Sequence, residues 1–257
     1  MRYSGLAVLM LTMIMTGCGA TPDAPEKAAG LTVREDIVEL RAQFVPQTLT
    51  AETLHLSDGD CEALLHLVDA ANAIDEIFTV QAWAGNPEFA SRVGALDGPN
   101  AAAARDYYRI MNGPWDRLDH HKPFLGNQPH PPGAGYYPED LTEAEFTAWI
   151  EAHPEDREVF TSLHTLIRRD GDALVAIPYS EAFAASLERA AKAMRAAAAA
   201  TDNESLRNFL NLRADAFFTD DYYESDMAWM DLDSTIEVVI GPYENYEDSL
   251  FGYKAAF

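Results

Sequence analysis

The feature that most constrains this chain is a helical repeat of apolar side chains behind a polar start signal. Leu64, Leu67, Val68, Ala71, Ile74, Ile77 and Phe78 follow Ser57-Asp-Gly-Asp60 and recur three and four residues apart. That spacing stacks them on one face of a long amphipathic helix ending before Gly85-Asn-Pro87. A second helix is expected from Pro99 toward Met111, stopped by Gly113-Pro114. Thr142 with Glu145 has the spacing of a capping box for a helix through Ile150, and Pro154 suits the first turn of the next, which is expected to end near Asp170-Gly171. Phe183, Leu187, Ala190, Ala191 and Met194 lead into the alanine run at 196–200, and Thr201 with Glu204 opens a further helix through Phe218. Strand signals are few before Thr235, and no fixed-period repeat is present. The expected fold is mainly α with a small β component: a helical lobe leading into the first strands of a mixed β core, cut short by the end of the chain.

Charge narrows the function. The 42 acidic residues outweigh the 18 basic ones, for a net charge of −24, which repels nucleic acid and anionic lipid head groups. Nucleic acid is therefore excluded as a partner. A 48% hydrophobic content is enough for a substantial core. The domain plan is a lipoprotein signal peptide at 1–18, a flexible tether at 19–30, a helical domain at 31–230 with a Pro/Gly-rich loop at 113–140, and the start of a β core at 231–257.

The N-terminal assignment rests on Arg2, the apolar run Leu6 to Met15, and small residues before a cysteine. Met15-Thr-Gly-Cys18 resembles a bacterial lipobox with Met in place of the usual Leu, so Cys18 is the expected lipid-bearing residue and the cell envelope, facing the periplasm, the expected location. An ordinary signal peptide cut near Ala20 is the alternative. Beyond Cys18 the chain holds a single cysteine, Cys61, so no intrachain disulfide is available to the mature protein. Cys61 reads as a small buried side chain, since the nearby His55 and His66 make no nucleophile–base spacing.

Chemistry is densest at 231–257. Thr235 to Ile240 is β-branched and apolar around Glu237 and reads as a strand, ended by Gly241-Pro242. Proline has no N–H for a central ladder, so this strand is expected on a sheet edge, where an extended peptide can pair with it. If the backbone stays extended past Pro242, alternation places Glu244 and Tyr246 on one wall. A carboxylate there can pair with an ammonium group, and a phenol can donate to an oxygen that becomes negative. The plainer alternative is a Tyr-rich turn with solvated acids.

The run Ile240-Gly-Pro-Tyr-Glu-Asn-Tyr-Glu-Asp248, with Leu250-Phe-Gly-Tyr-Lys-Ala-Ala-Phe257, resembles the dipeptidyl peptidase III family of zinc metallopeptidases, in particular its bacterial branch. Asp116-Arg-Leu-Asp119, Lys122-Pro-Phe124, Pro131-Pro-Gly-Ala134 and Tyr137-Pro-Glu-Asp140 look like the same branch. The resemblance implies that Glu244 and Tyr246 are the family's E-x-Y pair, with Glu244 binding the substrate's free N-terminal ammonium and catalytic Tyr246 supporting the scissile carbonyl. It also implies zinc in the complete enzyme, attacking through metal-activated water. The family's H-E-x-x-G-H helix is missing, for no His-Glu dipeptide occurs in the sequence. No metal is therefore expected on this chain, and it reads as the N-terminal part of a zinc exopeptidase releasing dipeptides. The alternative, from another class, is a non-catalytic peptide-binding lipoprotein.

Two other segments invite a metal. His120, His121 and His130 lie in the 113–140 loop, but adjacent histidines do not easily face one ion, and the loop reads as packing Trp115, Phe124, Tyr136 and Tyr137 onto the helices. Asp220 to Asp233 is acidic without the turn glycine and ligand spacing of a calcium loop, so it reads as a solvated helix face with Tyr222, Met227, Trp229 and Met230 buried.

Overall fold

The computed structural model describes residues 31–257, so the signal peptide, the tether and Cys18 lie outside the described residues. The expected long helix forms α2, Asp58–Ala82, after the short α1, Ile37–Ala42. The Ser57 hydroxyl accepts from the Asp60 N–H at 3.1 Å and caps it. Its inward face is rotated from the expected one: Ala63, Leu67, Ala70, Ala73, Ile74 and Ile77 are buried, whereas Val68 is 58% exposed. The reason is its neighbour. Helix α8, Ala184–Ala200, presents buried Ala190, Ala191, Ala197 and Ala198, and small side chains on both helices make the closely packed seam.

Helix α2 ends at Ala82, before Gly85-Asn-Pro87 as expected, but that tripeptide does more than break the chain. It opens α3, Asn86–Gly94, with the proline in the first turn, where no N–H is needed. Helix α4 then covers Ala101–Met111 and ends on left-handed Asn112. Within the 113–140 loop, β1 (Trp115–Asp116) pairs antiparallel with β2 (Lys122–Pro123). Trp115, Phe124 and Leu125 complete a small core with α1, α3 and α4, while Tyr136 and Tyr137 enter the main core.

Helix α5, Glu143–Ala152, carries the expected Thr142 cap, with the Glu145 N–H donating to the Thr142 hydroxyl at 3.2 Å. After a 3₁₀ turn at Pro154–Asp156, α6, Arg157–Thr161, stops short of the expected Asp170-Gly171. That dipeptide instead closes a hairpin of β3 (Thr165–Asp170) and β4 (Ala173–Pro178), with Asp170 opposite Ala173. Gly171 at φ +60° takes the first turn position that favours glycine in a two-residue hairpin. Short α7, Tyr179–Ala182, leads into α8. Helix α9 is Glu204–Ala216, capped by Asn203 rather than Thr201. The Thr201 hydroxyl is already committed, donating to buried Asp60 at 2.5 Å.

Helix α10, Tyr223–Met230, departs most from expectation. Tyr222 is buried, but Met227, Trp229 and Met230 are 42%, 40% and 74% exposed, so the apolar face looks outward. The strand expected at Thr235 to Ile240 is also absent: the run pairs with no strand among the described residues. Its burial still alternates, with Ile236 and Ile240 buried, Val238 half-buried, and Glu237 and Val239 exposed. Period-two patterning dictates an extended backbone with one apolar face; a ladder needs a neighbouring strand as well. Residues 231–257 do not form a separate layer, since Ile236, Ile240, Ala255 and Ala256 are buried and the two isoleucines join the main core.

Candidate functional site

Residues 241–256 fold into a closed loop on the surface of the main core. Gly241 opens it at φ +155°, directly over buried Arg213, which a side chain at that position would strike. Arg213 pairs with Asp226 through Nη2 and lies against the rings of Phe209, Tyr222 and Tyr243 at 5.2–5.5 Å. The loop mouth is an antiparallel bridge: Tyr243 N–H donates to the Ala256 carbonyl at 3.0 Å, and Ala256 N–H to the Glu244 carbonyl at 2.6 Å.

The loop is built around Asp248. Its Oδ1 accepts from the N–H groups of Leu250 and Phe251, both at 3.1 Å. Its Oδ2 accepts from Tyr253 N–H at 2.9 Å, Lys254 N–H at 3.1 Å and the Tyr137 hydroxyl at 2.9 Å. Short polar side chains nucleate such turns by replacing backbone acceptors. Below, the wholly buried Lys254 donates all three ammonium protons: to the Phe160 and Ser162 carbonyls at 2.7 and 2.8 Å and the Thr165 hydroxyl at 2.8 Å. Burial pulls its pKa down to about 7, with the Asp248 carboxylate resisting. Ala255 and Phe257 are anchored by Leu163, Tyr179 and Gln81.

The loop displays the two expected site residues. Glu244 sits at the bridge and Tyr246 at the start of a turn with Glu247; both are exposed, Tyr246 at 71%. Glu244 pairs only through that single bridge, and a turn begins at Tyr246, so the two residues do not share a continuous strand. The sequence reading missed what fixes this loop: Asp248, Lys254 and the Arg117–Glu247 pair, although each lies in a segment quoted for the family resemblance. These segments converge in space, with Arg117 meeting Glu247 and Tyr137 meeting Asp248.

A metal does not fit here. Among the described residues no three His, Cys, Asp or Glu side chains converge. His121 and His130 are brought together more closely than their loop suggested, as stacked rings 4.2 Å apart, while His120 is exposed. Burial lowers the pKa of both, that of His130 to about 4, so the stack is neutral at pH 7. Cys61 is half-buried rather than enclosed.

No protein-family model matches the chain. Among solved structures, dipeptidyl peptidase III from Caldithrix abyssi matches at a TM-score of 0.83 and 50% identity, over 86% of this chain and 42% of that one. The chain belongs to the dipeptidyl peptidase III family. The enzyme of that name from Corallococcus sp. strain EGB matches at a TM-score of 0.82 and 39% identity, with the same coverage of 86% and 42%. The Arabidopsis thaliana protein called Nudix hydrolase 3 is 34% identical over 269 residues, 84% of this chain and 35% of the plant protein. The chain thus spans less than half the length of each of these relatives.

Proposed function

We propose that this chain is the substrate-holding part of an exopeptidase that releases dipeptides from peptide N-termini. Glu244 receives the free ammonium group, and Tyr246 donates a hydrogen bond to the scissile carbonyl as charge gathers on its oxygen. The observation that carries this reading is a loop pinned from beneath by Asp248 and Lys254 that leaves a carboxylate and a phenol free at its surface. A rigid base with exposed polar groups suits the positioning of one substrate end. No step is assigned to a metal on these residues, because none of them groups as ligands. The zinc ligands that the resemblance implies are assigned to sequence beyond this chain, which spans 42% of either structural relative. In this reading Cys18 carries a lipid and the protein faces the periplasm.

The test uses the full-length gene product and peptides with free or acetylated N-termini. Tyr246→Phe should lower kcat by roughly a hundredfold with little change in KM, the usual loss for one oxyanion donor. Glu244→Gln should chiefly raise KM for peptides with a free N-terminus. Equal turnover of free and acetylated peptides, or a damaging Tyr243→Phe beside a silent Tyr246→Phe, overturns the assignment. Peptide binding without turnover by the wild-type protein would favour the non-catalytic alternative.

A further inference from the structure

Beside the two proposed substrate residues stands an ion pair that the substrate reading leaves unused. Glu247 follows Tyr246 in the turn, and both of its carboxylate oxygens are taken by Arg117, Nη1 to Oε1 and Nη2 to Oε2, the latter at 3.0 Å. The pair is withdrawn from water, with 9% of the Glu247 side chain exposed and 28% of Arg117. A bidentate, partly desolvated pair fixes direction as well as distance.

Arg117 is itself held from the opposite side. Its Nε donates to the Met111 carbonyl at the end of α4 at 2.7 Å, and its guanidinium lies 5.7 Å from the centre of the Phe78 ring on α2. Burial and the Arg117 charge both lower the pKa of the neighbouring His121 and His130, while Glu247 acts the other way. The turn is thus tied to two helices far from it in sequence. Glu244 does not depend on this tie, because its backbone is fixed separately by the bridge to Ala256.

We infer that Arg117, acting through Glu247, is the positioning residue that sets the aim of Tyr246, an inference that rests on the function proposed above. The asymmetry gives it a signature. Losing the pair frees the turn carrying Tyr246 but leaves Glu244 in place, so the chemical step suffers and peptide binding does not. A misplacement on the order of 1 Å can cost about a hundredfold in rate.

The experiment compares Arg117→Ala, Glu247→Gln, the double variant and Arg117→Lys in the full-length product, by kcat and KM and by amide hydrogen exchange at residues 245–248. Either single change should lower kcat by roughly tenfold to a hundredfold with KM within about twofold. The double variant should be no worse than the singles, Arg117→Lys should recover part of the rate, and exchange in the turn should quicken while α8 is unaltered. A folded Arg117→Ala protein with unchanged kcat, or one whose only change is a higher KM, overturns the inference. Exchange is read independently of activity: if the wild type releases no dipeptides the proposed function falls, and unchanged exchange in the turn overturns the clamp by itself.

Discussion

Replacing Lys254 by methionine separates two opposed contributions at the centre of the loop. Methionine keeps the length and apolar stem of lysine but removes an ammonium group that donates to the Phe160 and Ser162 carbonyls and the Thr165 hydroxyl. A buried acceptor stripped of its donor costs about 1–3 kcal/mol, and three are stripped here. Removing the charge also removes its desolvation penalty, several kcal/mol for a buried ion, so the losses are partly offset. We expect a net loss of about 3 kcal/mol, which for a domain of this size lowers Tm by roughly 6–12 °C. The pH dependence adds a second readout. Folded, Lys254 holds its proton with a pKa of about 7, against an ordinary value of 10.5. Between those values the unfolded chain binds more protons, so wild-type stability rises with pH across the window and is least favoured by this group below pH 7. The gap between wild type and Lys254→Met, read by urea denaturation, should therefore widen from pH 7 to pH 9. A methionine variant as stable as wild type at pH 7, or a gap that narrows with pH, would refute the reasoning.

His130 has a folded pKa of about 4 against 6.5, so its contribution is intact above pH 6.5 and is lost as the pH falls toward 4; denaturation midpoints over that range should decline, and His130→Gln should flatten the decline. Asp248→Asn gives up one of two oxygens that together accept four backbone N–H groups and the Tyr137 hydroxyl, and should cost about 2–4 kcal/mol in chemical denaturation. Cys18→Ser should move the protein from the membrane fraction to the soluble one without changing its melting temperature, as checked by fractionation and thermal scanning.

Local signals transferred to the structure where a single residue decides them. The Ser57 and Thr142 caps are such cases, because a hydroxyl three residues before a free N–H needs no further context. Asn203 displaced Thr201 as a cap because Thr201 is engaged with Asp60, 141 residues away, and nothing local announces that. Asp170-Gly171 is equally readable as a helix stop or a hairpin turn; flanking Thr165-Leu-Ile and Ala173-Leu-Val favour the hairpin, a strand signal outweighed in the helical reading. A motif singles out Glu244 and Tyr246 as the candidate pair, and the structure shows both exposed. The parts that hold the loop are not legible, because Arg117 and Glu247 are 130 residues apart and Lys254 and Thr165 are 89 apart. The outward face of α10 is not legible in the sequence, because burial depends on a neighbouring element being present and not on side-chain type alone.

The Lys254 cage also governs the order of events on the ribosome. Its three acceptors are translated long before their donor: 89 residues separate Thr165 from Lys254. At a synthesis rate of about 5–20 residues per second, they wait roughly 5–20 s, hydrated and without their eventual donor. Phe257, whose N–H donates to the Gln81 side chain on α2, arrives later still. The helices can associate early through the alanine seam, but the Phe160, Ser162 and Thr165 acceptors keep their water until residues 241–257 are inserted. A translational pause after Lys254 has emerged, rather than before, is therefore the one that lets these acceptors find their donor.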